Sequence, residues 1–269
     1  MTLELIKPSI MKTNKAFLAF IDILGYSDFV KTFSSKKYAE IIAKSLSVTD
    51  GWETRLFSDL SKYVSVTLLS DSMIIVLDMR SALALKKHCR AKGWPPGRSA
   101  ESVVASIYFS MLCNVFIEFI SRTGFLLRGA IEYGDFEIMN IRNGRDKLIH
   151  SQALVRANNL EKEADFPRIA ISRAAFKKIK KLTDPDHPAY VIEDFDGMKI
   201  LDIYRIFNSS HWRRADRLLL NIKKFISKQL LNVGAVKRFR KYAWFKNYHN
   251  AQVANLRHQE LQFENLKIA

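Results

Sequence analysis

Cysteine is scarce in this sequence: Cys89 and Cys113 are the only two among 269 residues, and neither belongs to a Cys-x-x-Cys or Cys/His array. This excludes a disulfide framework and a structural zinc site, and we expect a protein of the reducing cytoplasm. The six histidines are scattered, which gives no support to a histidine metal site or a catalytic triad. The motifs GxxxxGK[ST], GxGxxG, HExxH and GxSxG are also missing, so none of their chemistries is indicated.

Long hydrophobic runs are equally scarce. The N-terminus (MTLELIKPSIMKTNK) has no continuous apolar region followed by a small-residue cleavage site, so it does not resemble a secretory signal. The strongest membrane candidate, residues 103–121, is interrupted by Glu118 and also contains Ser106, Ser110 and Asn114. A transmembrane span needs about 20 mostly apolar residues. We therefore predict a long buried helix here and no membrane partner.

Acidic residues are outnumbered by basic ones, 27 against 43, and the formal net charge is +16. Such a chain favours anionic partners: nucleotides, nucleic acid or an acidic membrane surface. The segment 208–269 holds 13 Lys or Arg and 3 Asp or Glu, so it carries +10 of this charge. Two interpretations of the segment stay open. It forms a surface for nucleic acid or membrane, or a helix pair with one face packed against the core or a second subunit.

Periodicity divides the chain into an alternating part and a helical part. Predicted strands are residues 16–24, 64–70, 73–79, two strands joined by a bend at Gly134 within 125–139, 168–172, 190–193 and 199–204. Predicted helices are residues 27–47, 103–121, 153–164 and 174–182. This alternation predicts the α+β class, one antiparallel-rich sheet with helices packed on it. We expect one domain over residues 1–207 and a basic helical extension over 208–269.

Two aspartates lie in apolar settings that disfavour a charge. Asp22 is near the end of a predicted buried strand, and Asp71 separates two strongly apolar strands. A buried carboxylate must be paired, hydrogen-bonded or bound to a metal. If the strands are neighbours, both carboxylates meet at one sheet edge and suit Mg²⁺ or Mn²⁺ bridging substrate phosphates. The alternative is a pair of turn residues that cap nearby backbone amides.

Three segments in order, F-I-D-I-L-G-Y, L-L-S-D-S-M-I-I-V and L-R-G-A-I-E-Y-G-D, resemble the motifs of class III nucleotidyl cyclases. AFIDILG, SDS, LRGAI and A-L-V-x-A-x-x-L-E-K-x-A-x-x-P-R-I resemble more specifically the pyrimidine cyclases of the Pycsar antiphage system. The resemblance implies a ferredoxin-like class III cyclase domain that forms cyclic UMP or cyclic CMP in antiphage defence. It also implies two divalent cations, Mn or Mg, held by Asp22, Ile23 and Asp71.

The resemblance assigns further residues to the nucleotide. The backbone of Ile23, Leu24, Gly25 and Tyr26 is expected to face the β- and γ-phosphates, with Gly25 allowing close approach. Arg128 matches a strand arginine that contacts the terminal phosphate. Class III sites form between two catalytic domains, so a chain with one such domain is expected to work as a homodimer.

Two departures from the family pattern bear on the substrate. Thr67 stands where purine cyclases carry a base-selecting lysine or glutamate, and a short hydroxyl does not reach a purine edge in the same way. Val155 and Asn159 occupy the positions of the family's ribose-orienting asparagine and transition-state arginine, and Arg156 is the nearest replacement for that charge. We predict a uridylate cyclase using UTP. The alternatives are a cytidylate cyclase using CTP, a purine cyclase with unfamiliar base contacts, and a non-catalytic nucleic-acid-binding protein; no nucleic-acid partner is expected.

Overall fold

One mixed sheet forms the centre of the fold. The computed structural model describes residues 14–46, 63–82, 99–141, 146–182, 190–208, 215–232, 234–256 and 263–269. The strands of the sheet are β1 (Asn14–Ile23), β2 (Val64–Leu68), β3 (Ser72–Asp78), β4 (Leu127–Ile141), β5 (Asp146–His150), β6 (Ile169–Ile171), β7 (Val191–Glu193) and β8 (Lys199–Leu201).

Helices pack on both faces of this sheet. The α-helices in the described ranges are α1 (Tyr26–Thr32), α2 (Ser35–Leu46), α3 (Ala100–Thr123), α4 (Gln152–Glu163), α5 (Arg173–Leu182), α6 (Ala215–Asn232) and α7 (Val236–Ala254). Two short 3₁₀ helices lie between β8 and α6, at Ile203–Asn208, and after α7, at Phe263–Leu266.

The strand order is β2-β3-β1-β4-β6-β8-β7, with β5 paired to β4 outside this path. The first part of the chain therefore runs strand, helices, hairpin, helix, strand in the spatial order β2-β3-β1-β4, which is the ferredoxin-like arrangement. Each described strand pair is antiparallel except β4 with β6. The predicted α+β class with an antiparallel-rich sheet is confirmed.

Strand β1 is hydrogen-bonded on both sides, to β3 and to β4. Because side chains alternate along a strand, its odd-numbered residues, such as Phe17 and Ile21, join the main core beneath α3. Its even-numbered residues, such as Ala16 and Leu18, join a smaller cluster with Ala157 of α4. Asp22 continues the even-numbered row and therefore lies on the α4 face.

The long apolar segment forms the central helix α3, as predicted. The Ser99 hydroxyl accepts a hydrogen bond from the Ser102 amide at 3.1 Å, and the helix ends at Gly124 with φ of 70° in the left-handed region. Among the described residues α3 alone is long and apolar enough to cross a membrane, but 89% of its apolar window is buried inside the fold. Cys113 on this helix is a buried free thiol, and Cys89 lies outside the described residues.

Some element boundaries differ from the sequence predictions. No bend occurs at Gly134, because β4 continues through it in register with Ala16. The single helix predicted for residues 27–47 is two helices, because Phe33 adopts an extended backbone and the Ser34 hydroxyl accepts from the Lys37 amide at 3.3 Å. The last strand ends at Leu201, and a 3₁₀ turn follows it.

The predicted C-terminal helical extension is confirmed, and it packs onto the same core as the sheet. Buried side chains of α6 and α7 belong to the main hydrophobic cluster: Leu218, Leu219, Ile222, Ile226, Tyr242, Trp244, Phe245 and Val253. Of the two interpretations left open by the sequence, the packed helix pair describes this face of the extension.

A buried histidine ties the extension to the sheet domain. His249 of α7 accepts a hydrogen bond from the Tyr204 hydroxyl at Nδ1 (2.6 Å) and donates from Nε2 to the Leu266 carbonyl (2.9 Å). These bonds fit a neutral imidazole with Nδ1 as acceptor and Nε2 as donor, and burial lowers the pKa of His249 to about 4 from its ordinary 6.5.

The low pKa of His249 predicts a pH-dependent stability. Between about pH 4 and 6.5 the unfolded chain binds this proton and the folded chain does not, so acidification favours unfolding. The contribution is complete above pH 6.5, and a loss on the order of 3 kcal/mol is expected by pH 4. Urea unfolding from pH 7 to pH 4.5 should show a shallower pH dependence for His249→Gln than for the unsubstituted protein. A pH dependence as steep in His249→Gln as in the unsubstituted protein would contradict this cause.

A second prediction concerns close packing of β4 against β1. A Cβ added at Gly129 would lie 2.7 Å from the Phe20 carbonyl oxygen, which is fixed in the sheet. Gly129→Ala should therefore lower the free energy of unfolding by about 1–3 kcal/mol. At Gly134 the atom at 2.7 Å is Nη2 of Arg156, the end of a flexible side chain, so Gly134→Ala should cost less. Equal losses in urea unfolding would contradict this difference.

Candidate functional site

Asp22 occupies the end of the central strand, between two polar neighbours. It pairs with Ser72 of β3 on one side and with Arg128 of β4 on the other. Its Oδ2 lies 3.9 Å from Nη2 of Arg128, and its side chain is 21% exposed. Directly opposite residues share a face of the sheet. The carboxylate and the guanidinium therefore lie side by side on the α4 face.

Asp71 lies in the hairpin just before β3, and its backbone carbonyl accepts a hydrogen bond from the Ile23 amide at 2.9 Å. Its Oδ1 accepts from the hydroxyls of Ser70 (3.0 Å) and Ser72 (3.4 Å). The Ser72 hydroxyl also lies 3.5 Å from Oδ1 of Asp22. The structure thus brings together the two carboxylates that the sequence singled out, around one shared hydroxyl.

This arrangement raises the pKa of Asp22 above that of an ordinary aspartate. Burial raises its pKa most, and the nearby charges of Glu161 and Asp71 raise it further; Arg128 and the Ser72 hydroxyl lower it. The pKa of Asp22 reaches about 6, compared with 3.8 for an ordinary aspartate. Two carboxylates that repel one another in a partly desolvated setting are stabilised by a cation between them.

Glu161 of α4 is a site residue that the sequence reasoning missed. It is 3% exposed, and it pairs with Nε of Arg128 in a short ion pair. The pair holds the guanidinium against the sheet and leaves its other edge toward Asp22. The signal was present in the sequence as Leu160-Glu161-Lys162, where a carboxylate interrupts the apolar face of a helix, but its partner depends on the packing of α4 on β4.

The turn after β1 has the geometry that close approach to a ligand requires. Gly25 has φ of 78°, in the left-handed region where glycine is favoured, and its carbonyl accepts from the amides of Asp28 (2.9 Å) and Phe29 (3.1 Å). The Leu24 amide donates to the Leu126 carbonyl at 2.9 Å, and the Tyr26 ring stacks on Phe29. These contacts fix the turn that joins Asp22 to α1.

Thr67 lies on the same face as Asp22. It pairs with Ile74 of β3, which in turn pairs with Phe20, two residues before Asp22 on β1. Because residues opposite one another share a face and residues two apart on one strand share it too, Thr67 and Asp22 point to the same side. Thr67 occupies β2, the outermost strand at that end of the sheet.

The structure does not bring the α4 residues predicted for catalysis to Asp22 of the same chain. Arg156 pairs with Glu132, Nε to Oε2 at 3.3 Å, and lies beside Gly134, which is in register with Ala16. That row is six strand positions from Asp22, about 20 Å at roughly 3.3 Å per residue. Val155 and Asn159, near Arg156 on the same helix, are exposed to solvent.

The donor set fits a hard divalent cation whose coordination is completed by a substrate. Asp22 and Asp71 supply carboxylate oxygens at one edge, and the Ile23 amide bonds to the Asp71 backbone carbonyl there. In the described ranges no cluster of three or more His, Cys, Asp or Glu is arranged to hold a metal by itself. Mg²⁺ and Mn²⁺ sites commonly combine one or two carboxylates with water and substrate phosphates, and this set matches that chemistry.

Comparison with known proteins gives likeness of structure alone. No protein-family model and no curated protein matches the sequence. Among solved structures, the adenylyl cyclase CyaB from P. aeruginosa is 14% identical over 70% of this chain and 92% of its own, with a TM-score of 0.39. The guanylyl cyclase domain of the RhoGC fusion protein from the aquatic fungus Blastocladiella emersonii is 15% identical over 70% and 94%, with a TM-score of 0.40.

A bacterial light-regulated adenylyl cyclase is 11% identical over 80% of this chain and 100% of its own, with a TM-score of 0.39. Likeness at this level assigns no activity to the chain. Its function rests on the geometry of its own residues.

The electrostatics of the site predict how Asp22 titrates. Replacing Glu161 with glutamine removes a negative charge near Asp22 and releases Arg128 toward it, so the pKa of Asp22 should fall from about 6 toward 3.8. The measurement is the ¹³C carboxyl shift of Asp22 followed from pH 4 to pH 8. Glu163→Gln changes an exposed carboxyl on the same helix and should leave the titration of Asp22 unchanged. An Asp22 pKa that Glu161→Gln does not lower would contradict the assigned cause.

Proposed function

We propose that this chain is a divalent-cation-dependent uridylate cyclase that converts UTP to 3′,5′-cyclic UMP and pyrophosphate. The observation that carries the proposal is the convergence of Asp22 and Asp71 on the Ser72 hydroxyl, at a sheet edge that also presents Arg128. The order of the sequence motifs, which resembles that of class III nucleotidyl cyclases, supports cyclisation among the possible reactions of a nucleoside triphosphate. By the same resemblance, the product serves as a signal in antiphage defence.

In the proposed reaction the 3′ oxygen of UTP forms a bond to the α-phosphorus. The bond from that phosphorus to the bridging oxygen breaks, pyrophosphate leaves with the electron pair, and the hydroxyl proton is released to water. Asp22 and Asp71 would hold the cations, Mg²⁺ or Mn²⁺, which would stabilise the attacking oxygen and neutralise the polyphosphate. With a pKa of about 6, Asp22 is mostly ionised at pH 7 and available for this role.

Neutral and cationic groups around the two aspartates position the triphosphate. Glu161 holds Arg128 through Nε, and Nη2 of Arg128 remains on the side of Asp22. A guanidinium in this position can donate to a phosphate oxygen of a nucleotide bound at Asp22. The fixed turn at Gly25 lets the backbone approach the β- and γ-phosphates without a side chain intervening. Orientation of this kind lowers the barrier by holding the 3′ oxygen near the α-phosphorus.

A pyrimidine substrate is supported by Thr67, which lies on the face of the sheet that carries Asp22. Its side chain is short, and it offers a hydroxyl in place of the long charged group by which purine cyclases select their base. The choice of UTP over CTP rests on the resemblance to the Pycsar cyclases.

A homodimer with shared active sites is supported by the position of Arg156. About 20 Å of strand separates its row from Asp22 in the same chain, which is beyond the reach of an arginine side chain. If Arg156 acts on the reacting phosphate, it acts on the nucleotide held by Asp22 and Asp71 of a second copy. Two such copies related by a two-fold axis would form two equivalent sites.

The proposal is tested by mass spectrometry of the products formed from ATP, GTP, CTP and UTP in Mg²⁺ or Mn²⁺. Cyclic UMP is expected, and Asp71→Asn should abolish it because the amide cannot replace the carboxylate at a cation. Asp78→Asn, at the opposite end of β3, is the matched control and should retain activity. Cyclic CMP would correct the base and keep the mechanism, whereas no cyclic product from any triphosphate would overturn the proposal.

The shared site predicts complementation between two inactive variants. Asp71→Asn and Arg156→Ala homodimers should each be inactive, while their mixture should regain about a quarter of full activity, since half of the dimers carry one intact site in two. Arg156→Ala should fold normally, because the side chain is half exposed. Absence of recovery after subunit exchange, demonstrated with differently tagged chains, would contradict the shared site.

A further inference from the structure

The basic helix α7 is fixed against the segments that border the candidate site. Arg238 pairs with Asp28 of α1 at 3.1 Å, just beyond the Gly25 turn. The Tyr242 hydroxyl donates to the Gly124 carbonyl at 3.5 Å, in the segment leading into β4. The Trp244 ring stacks on Phe166 with centroids 5.8 Å apart. Three independent contacts thus determine which face of α7 is turned toward the sheet edge.

An open cleft of about 340 Å³ lies between the first turns of α7 and the segment that follows α4. Three of its six lining residues are cations; the six are Asp165, Phe166, Val236, Lys237, Arg240 and Lys241. The Arg240 guanidinium lies over the Phe166 ring, 6.0 Å from its centroid. The cleft therefore combines an apolar wall with a cluster of positive charge, which suits a compact polyanion.

Lys241 connects this cleft to the aspartate site. On α7 it follows Arg238 by three residues and directly precedes Tyr242, and these two residues contact α1 and the segment that leads into β4. This placement brings it within range of the charges of Arg128 and Asp22. Burial lowers its pKa first, and the positive charges of Arg128 and Lys237 lower it further, whereas Asp165 and Asp22 raise it. Cations of β4 and α7 thus repel one another in a partly buried setting. Repulsion between them is relieved by an anion that contacts both.

Building on the proposed cyclase function, we propose that Lys241 and Lys237 bind the β- and γ-phosphates of the nucleotide held by Asp22 and Asp71 of the same chain. The C-terminal helix then completes the active site with a polyphosphate subsite. A single-stranded nucleic acid is the less favoured occupant. It requires a basic groove long enough to follow several nucleotides with aromatic rings for the bases, whereas these cations converge beside one pair of carboxylates.

The subsite is tested by the binding of inorganic tripolyphosphate in Mg²⁺ to the full-length protein, measured by isothermal titration calorimetry. Lys241→Met removes the charge at nearly constant volume, and its Kd should rise about tenfold or more, the effect of losing one charge-assisted hydrogen bond. Lys241→Arg should recover part of the affinity. Lys246→Met is the matched control on the same helix, turned about 140° from Lys241, and should leave the Kd unchanged.

Activity and binding together separate this inference from the proposed function. A Lys241-dependent Kd in a protein that cyclises no nucleotide would overturn the cyclase and retain the polyphosphate subsite. Cyclic UMP formation with Kd and KM unchanged in Lys241→Met would overturn the subsite and retain the cyclase. If Lys241→Met fails to fold, Lys237→Met, at an exposed position of the cleft, decides by the same criterion. If Lys241→Met loses binding to a single-stranded oligonucleotide while its binding of tripolyphosphate is intact, the subsite would also be overturned.

Discussion

The pairing of β1 with both of its neighbours is the constraint on which the site depends. Its register sets Asp22 between Ser72 of β3 and Arg128 of β4. A slip of one residue would move every side chain of β1 to the other face of the sheet and would bury Asp22 beneath α3. The apolar residues of both faces prevent such a slip, because each row packs in its own cluster. The packing of the core therefore also fixes the position of the Asp22 carboxylate.

Charge at this edge is balanced in a way that leaves room for a cation and an anion together. Arg128 is shared between the buried Glu161 and Asp22, so it neutralises the aspartates only in part, and the pKa of Asp22 remains raised to about 6. A metal and a triphosphate would complete this balance, since the metal satisfies the carboxylates and the phosphates satisfy the cations. Such complementarity is what the proposed reaction requires of its site.

The charge of the C-terminal extension suggests a binding surface, but in the structure the extension is also part of the core. Its apolar residues join the core of the sheet domain, and His249 of α7 bonds to Tyr204 of the sheet domain and to the Leu266 carbonyl near the C-terminus. The basic residues are thereby held in fixed positions near α1 and the start of β4. A basic segment anchored in this way is suited to recognise one compact anion, which connects the excess charge of the chain to the proposed substrate.

The sequence by itself determined the α+β class, the central apolar helix, the helical extension and the interest of Asp22 and Asp71, because periodicity and a carboxylate in an apolar run are local signals. The same local signals predicted a bend at Gly134 that does not occur, since its pairing with Ala16 is a long-range contact. The opposite charges near Glu161 and Lys241 could not be recognised for the same reason. Arg128 is 33 residues from Glu161, and Asp165 and Asp22 are farther still from Lys241, so only the packing of α4 and α7 against the strand ends decided which charges meet.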